Sequence, residues 1–133
     1  MNVVIVGATG MVGRTMLQVL EERGIEIENL YPVASKSSLG ARLAYRGSYY
    51  DVCLIEDALE KDTDYALFSA GGSLSIDWAP KFAAKGTVVI DNSSAWRMED
   101  NCPLVVPQIN LDSIGPDNKI IANPNCSTIQ LVM

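Results

Sequence analysis

The junction between Val3-Val4-Ile5-Val6 and Gly7-Ala8-Thr9-Gly10-Met11-Val12-Gly13 restricts the fold of this chain more than any other stretch. A run that is apolar at every position suits a parallel strand covered on both faces. Beyond the glycines, Val12, Met16, Val19 and Leu20 recur at helical spacing, and Gly24 after Arg23 supplies a stop. Strand, glycine turn and helix together read as a dinucleotide-binding βα unit. Gly7 permits the tight turn, Gly10 lets backbone approach a pyrophosphate, and Gly13 lets the helix pack closely on the strand. Thr9, Met11 and Val12 then surround a helix N-terminus that faces the phosphates. The spacing is G-x-x-G-x-x-G, not the commoner G-x-G-x-x-G, so position between strand and helix carries the reading. The competing reading is a glycine turn of purely structural use.

A second strand is expected over Asn29 to Val33, running into Ala34-Ser35-Lys36-Ser37-Ser38-Leu39-Gly40. NAD-specific domains place a carboxylate near this point to accept the ribose hydroxyls, and the loop has none. Ser35, Lys36, Ser37 and Ser38 are all donors, which suits a 2′-phosphate. NADP is therefore the expected cofactor, with Ser37 and Ser38 its foremost contacts here; a solvated polar loop explains the same residues. Ala41 to Ile55 reads as a strand pair carrying Tyr49, Tyr50, Val52 and Leu54. Glu56 to Asp62 reads as a short acidic surface helix or loop.

Tyr65 to Phe68 is a further buried strand, ending at Ser69-Ala70-Gly71-Gly72-Ser73. Small residues there (Ser69, Gly71, Gly72) allow close approach of a cofactor's ribose and nicotinamide side. Ser73 is expected to cap a helix whose apolar face is Ile76, Ala79, Phe82 and Ala83, with Gly86 as its end. Thr87 to Ile90 follows as a strand, then Asp91 to Met98. Within that loop the forked donors of Arg97 suit a phosphate or carboxylate, against the alternative of a surface ion pair with Glu99 or Asp100. Leu104 to Asn110 is an apolar segment ended by polar residues.

Near the C-terminus, Ile120 to Ala122 reads as a short, fully buried strand, and Asn123-Pro124-Asn125 forces a turn. Cys126 then opens a helix, with Asn125 or Ser127 as cap. A helix N-terminus carries unpaired N–H groups and partial positive charge, which favour a thiolate and can hold the oxyanion formed when sulfur attacks a carbonyl. Cys126 is thus a candidate nucleophile, against the alternative of a buried structural thiol. Each of the motifs falls after the carboxyl end of a strand. The alternation of elements gives one doubly wound, mostly parallel Rossmann-type α/β domain over residues 1–133.

Composition narrows the function. A chain of 133 residues with 48% hydrophobic content is enough for one domain and not for two. A formal charge of −6 with scattered Lys and Arg argues against a nucleic-acid partner. No stretch approaches the length of a membrane span, and the apolar start lacks a basic leader. Cys53, Cys102 and Cys126 stand at unrelated spacings, giving neither a disulfide framework nor a metal site, so a reducing cytoplasm is expected. There is no histidine, so the commonest general base is not on this chain. The sequence ends barely two turns into the helix of Cys126, which leads to the expectation of a truncated piece of a longer protein.

The glycine turn, Ser69-Ala70-Gly71-Gly72-Ser73, Val89 to Arg97, Val105 to Asn110 and Asn123 to Gln130 together resemble the N-terminal part of the aspartate-semialdehyde dehydrogenase family. The resemblance runs over essentially the whole chain, with Gln108 where the family usually has glutamate. It implies NADPH-dependent reduction of L-aspartyl-4-phosphate to the semialdehyde, in lysine, threonine and methionine biosynthesis. It further implies Cys126 as the residue acylated by substrate, Arg97 and Asn125 as phosphate-binding groups, and Thr9 to Val12 with Ser37 and Ser38 on the cofactor phosphates. A catalytic histidine, a carboxylate-binding arginine and a second, dimer-forming domain would lie outside these residues. The chain alone is then expected to bind NADP weakly and to turn over negligibly. Two other readings are N-acetyl-γ-glutamyl-phosphate reductase, whose cysteine motif is typically Asn-Pro-Gly-Cys-Tyr, and a non-catalytic NADP-binding module.

Overall fold

The strands in chain order are β1 (Asn2–Val6), β2 (Asn29–Val33), β3 (Arg42–Tyr45), β4 (Ser48–Asp51), β5 (Tyr65–Phe68), β6 (Val88–Asp91) and β7 (Ile120–Ala122), mostly apolar runs apart from the polar-flanked β3 and β4. The helices are α1 (Met11–Glu22), α2 (Ile55–Leu59), α3 (Gly72–Ala84), α4 (Pro107–Asn110) and α5 (Cys126–Val132). This computed structural model describes residues 1–133.

Five strands form one sheet in the order β2-β1-β5-β6-β7, and every pairing in it is parallel. Alternate side chains enter two cores, as the period of a strand requires. Val4, Val6, Ala66, Phe68 and Val89 pack with Ile55 and Ala58 of α2 and with Ala79 and Phe82 of α3. Phe68 and Phe82 meet edge to face with ring centres 5.7 Å apart. On the other face Val3, Ile5 and Leu30 pack with Leu17 of α1 and with Leu43 and Tyr45 of β3. Helices on both faces of a parallel sheet make the doubly wound arrangement expected.

The strand pair expected within residues 41–55 is present, as an antiparallel hairpin of β3 and β4 separate from the main sheet, with Tyr49 on it 68% exposed. Elsewhere the sequence reading needs correction. The inner face of α1 is Gly13 and Leu17, flanked by Met16 and Leu20, while Val12 and Val19 are exposed. α3 is capped by Gly71, so Ser73 lies inside the helix; Ile76 is exposed and Ser75 takes an inner position. β7 is an edge strand, and only Ala122 in it is buried. No helix is long and apolar enough to cross a membrane.

Because the five strands run one way, their carboxyl ends share one edge. β1 and β5 are neighbours whose connections leave in opposite directions, the switch point where such sheets open a crevice. The glycine turn after β1, the Ser69 loop after β5, the Arg97 loop after β6 and the Cys126 turn after β7 all lie on that edge.

Candidate active site

The glycine turn is built for close approach. Gly7 has φ +87°, and a Cβ there would stand 2.3 Å from the Ser69 carbonyl oxygen. At Gly13 a Cβ would stand 2.2 Å from the Gly7 carbonyl oxygen, so only glycine lets α1 begin this near the strand. The N–H groups of Gly7 and Ala8 donate to the Val33 carbonyl at 2.9 and 3.0 Å, tying the turn to the end of β2. α1 has Gly10 as N-cap, no capping side chain and no acidic residue in its first turn. The first amide of α1 to find an acceptor is that of Arg14, on Gly10 O at 3.0 Å, leaving Met11, Val12 and Gly13 with free N–H groups. Free amides at the positive end of a helix fit a phosphate.

Beside this turn lies a cavity of about 380 Å³, lined among others by Gly7, Thr9, Ser35, Lys36, Leu54 and Glu56. Its size and mixed lining, apolar with a few polar groups, fit part of a dinucleotide. Of the three serines expected here only Ser35 reaches the cavity; Ser37 and Ser38 do not line it. The Ser37 hydroxyl is instead paired with that of Ser35 at 2.8 Å, within a short 3-10 turn. Lys36 lines the cavity and was noticed in the sequence only as one donor among several. The loop carries no carboxylate, as read, but Glu56, from the first turn of α2, also lines the cavity. No local signal links Glu56 to Ser35, because the two meet only through the pairing of Val33 with Cys53.

Ser69, Gly71 and Gly72 stand on the same edge but outside the cavity lining, which takes Ala70 and Leu74 from their segment. Ser69 donates its N–H to Val6 O at 2.9 Å, which holds the loop against the glycine turn.

At the far end of the edge, Cys126 is the first residue of α5 and is exposed. Asn125 is its N-cap, accepting the Thr128 N–H on Oδ1 at 2.8 Å. Of the two capping residues considered, the structure therefore uses Asn125. Arg97 forms no pair with Glu99 or Asp100; the one ion pair of the molecule is Arg42 with Asp51. It reaches across the sheet edge instead, donating Nε–H to Asn123 O at 2.9 Å and Nη2–H to Asn92 O at 3.1 Å. A third bond, from Asn123 Nδ2 to Asn92 Oδ1 at 2.8 Å, closes the brace between the β6 and β7 loops. Two of the five guanidinium N–H groups are used in this way, leaving three for a ligand.

Beneath the brace, Asp91 is fully buried. Its Oδ1 accepts from Ser75 Oγ at 2.9 Å, and Ser75 Oγ accepts from Trp96 Nε1 at 2.9 Å. Oδ2 accepts from the N–H and hydroxyl of Ser93, at 3.1 and 2.5 Å. These bonds fix the loop that carries Arg97. Sequence reasoning missed Asp91, Ser75, Asn92 and Asn123 as site supports, since their partners lie on other elements. The remaining thiols differ from Cys126: burial pushes those of Cys53 and Cys102 up.

Sheet order, an uncapped helix head and the cavity beside it define a Rossmann-type domain for a nicotinamide dinucleotide. The family described as semialdehyde dehydrogenase, NAD binding domain, matches residues 2–116, and the chain belongs to it. Among curated relatives, aspartate-semialdehyde dehydrogenase of Aquifex aeolicus is 56% identical, over 99% of this chain and 40% of its own length. That of Legionella pneumophila is 51% identical, over 100% of this chain and 39% of its own. Of solved structures, aspartate semialdehyde dehydrogenase II of Vibrio cholerae complexed with ASA aligns with a TM-score of 0.92 at 48% identity, covering 98% of this chain and 44% of that one. The chain thus spans about 40% of the length of the curated relatives it matches.

Proposed function

We propose that residues 1–133 are the NADP-binding, nucleophile-bearing part of an aspartate-semialdehyde dehydrogenase, which reduces L-aspartyl-4-phosphate to the semialdehyde with release of phosphate. The observation that carries the proposal is an exposed Cys126, on the edge of the sheet that also holds the free amides of α1. In this reading Gly7, Thr9, Gly10, Met11, Val12 and Gly13 surround the pyrophosphate, with Ser35 and Lys36 towards the 2′-phosphate. Ser37 and Ser38 support that loop, and Ser69, Gly71 and Gly72 flank the path to the reactive end. The longer protein is proposed to act in the cytoplasm as a homodimer, as the family resemblance implies; the three free thiols suit a reducing compartment.

The residues divide the chemistry as follows. Cys126 sulfur attacks the acyl carbon, a C–S bond forms, and the C–O bond to phosphate breaks, which splits one difficult step into two. The unused N–H groups of Arg97 bind the phosphate while it is attached and as it leaves. Asn125 holds the α5 turn, so that Cys126 meets the acyl carbon in one geometry. A nicotinamide dinucleotide held by the glycine turn would supply the hydride that reduces the acyl carbon. Cys126 serves as the leaving group from that carbon, its sulfur returning to the thiolate state.

The test is a side-by-side assay of the complete gene product with aspartyl phosphate and N-acetylglutamyl phosphate. Reduction of the aspartyl compound, abolished by Cys126→Ser, is expected. Preference for the acetylglutamyl compound, or full activity in Cys126→Ser, would remove the proposal.

A further inference from the structure

The loop that carries Arg97 hangs from one buried carboxylate. Asp91 Oδ2 holds Ser93 near the start of the loop, and the Ala95 N–H donates to Ser93 Oγ at 3.2 Å. Asp91 Oδ1 accepts the Ser75 hydroxyl, which commits that proton and leaves the oxygen lone pairs of Ser75 for the indole N–H of Trp96. Ser75 is 1% exposed, near the head of α3, and Trp96 packs against the core that α3 closes. Beyond Arg97 the next side chains, those of Met98, Glu99 and Asp100, are all exposed. Trp96 is therefore the last side chain anchored in the interior before Arg97, and it is the residue next to it.

We propose that Trp96 is a positioning residue for Arg97, acting through its bond to Ser75, and that this bond governs affinity for phosphate but not for the dinucleotide. The proposal rests on the reading of Arg97 as the group that binds phosphate, and extends it to side chains that touch no ligand. The bonds from Arg97 to the carbonyls of Asn92 and Asn123 set the plane of the guanidinium. The indole anchor sets the backbone from which that guanidinium extends. Recognition of a phosphate by a rigid fork of donors depends on both. The amides at the head of α1 belong to another loop, after β1, with β5 between β1 and β6. Release of the indole therefore moves the phosphate contact and leaves the dinucleotide contacts in place.

The test is steady-state kinetics of the complete gene product in the reverse direction, where the semialdehyde is oxidised to the acyl phosphate, inorganic phosphate is consumed and NADP is reduced. Trp96→Phe keeps an aromatic ring and removes only the donor, so it carries the test alone if Ser75→Ala does not fold. In Trp96→Phe the KM for phosphate should rise about ten-fold, the scale of one charge-assisted hydrogen bond, with the KM for NADP unchanged. The double variant should match Ser75→Ala alone, because both substitutions remove the same bond. Thr87→Val supplies the control for lost stability: its buried hydroxyl pairs with that of Thr63 at 2.9 Å, just before the amino end of β6. That variant should keep the wild-type KM for phosphate. An unchanged phosphate KM in Trp96→Phe would overturn the proposal, as would an equal rise in the KM for NADP. Additive effects in the double variant, or the same rise in Thr87→Val, would overturn it too. A phosphate KM unchanged in Arg97→Leu would instead remove the reading of Arg97, and the proposal with it.

Discussion

Three thiols in one chain offer an internal comparison at the scale of single residues. Cys126 is exposed, Cys102 is buried and Cys53 is half-buried, and burial raises the thiol pKa of the last two. Alkylation needs thiolate and access. Brief treatment with iodoacetamide at neutral pH, read by peptide mass spectrometry, should therefore label Cys126 first. Equal labelling of the three would contradict the placement of Cys126. Two substitutions probe what holds the edge together. Gly13→Ala puts a methyl group 2.2 Å from a backbone oxygen; α1 would have to move, at a cost of about 1–3 kcal/mol seen as a lower urea midpoint. Ser75→Ala leaves Asp91 Oδ1 and Trp96 Nε1 each without their partner, again costing about 1–3 kcal/mol. The close approach of Gly13 to Gly7 and the position of Cys126 behind its cap Asn125 were legible in sequence because both involve residues near in the chain. Asp91 was not, because its burial depends on Ser75 and Trp96, from a helix and a loop that only the fold brings together.

Among elements, strands were read better than helices, and packing explains the difference. β1, β2 and β5 are short runs walled by neighbours, so an apolar stretch marks them to within a residue. α1 and α3 were displaced in phase: Val12, Val19 and Ile76 are apolar yet exposed, while Gly13 and Ser75 occupy inner positions. A helix set close against a strand needs small residues at the contact, and apolar periodicity does not report those. The β3–β4 hairpin was seen as a pair, but sequence could not place it outside the main sheet. Nor could it show that residues 52–54 run beside β2, which is what brings Glu56 to the cavity. The brace between the β6 and β7 loops belongs to this scale. Asn123→Ala removes the 2.8 Å bond to Asn92 while leaving both backbone carbonyls that Arg97 uses. A modest loss of about 0.5–1.5 kcal/mol is expected, with the Arg97 bonds intact in a crystal structure of the variant. A loss several times larger would mean that the side-chain bond, not Arg97, holds the loops in register.

For the whole molecule, the groups with raised pKa values set a direction for stability against pH. Tyr45, Cys53 and Cys102 are all favoured in their neutral forms by burial. Each therefore contributes stability that is complete below its unfolded pKa, about 8.5 for cysteine and about 10 for tyrosine, and is lost as pH rises through the higher folded value. Thermal unfolding should occur at progressively lower temperature from pH 8 upward, and Cys53→Ala should reduce the part of that slope nearest pH 9. A melting temperature that rises over this range would contradict the assignment. The larger arrangement was legible because each motif follows the carboxyl end of a strand, and parallel strands bring such ends together. The central claim is that one rim of this sheet holds both the dinucleotide and the sulfur of Cys126. A crystal structure of the chain grown with NADPH tests it most directly. The account predicts pyrophosphate density on the amides of Met11 to Gly13, with the nicotinamide end directed along the edge towards Cys126. Density for the dinucleotide anywhere else, or a nicotinamide ring turned to the opposite side of the glycine turn from Cys126, would contradict it.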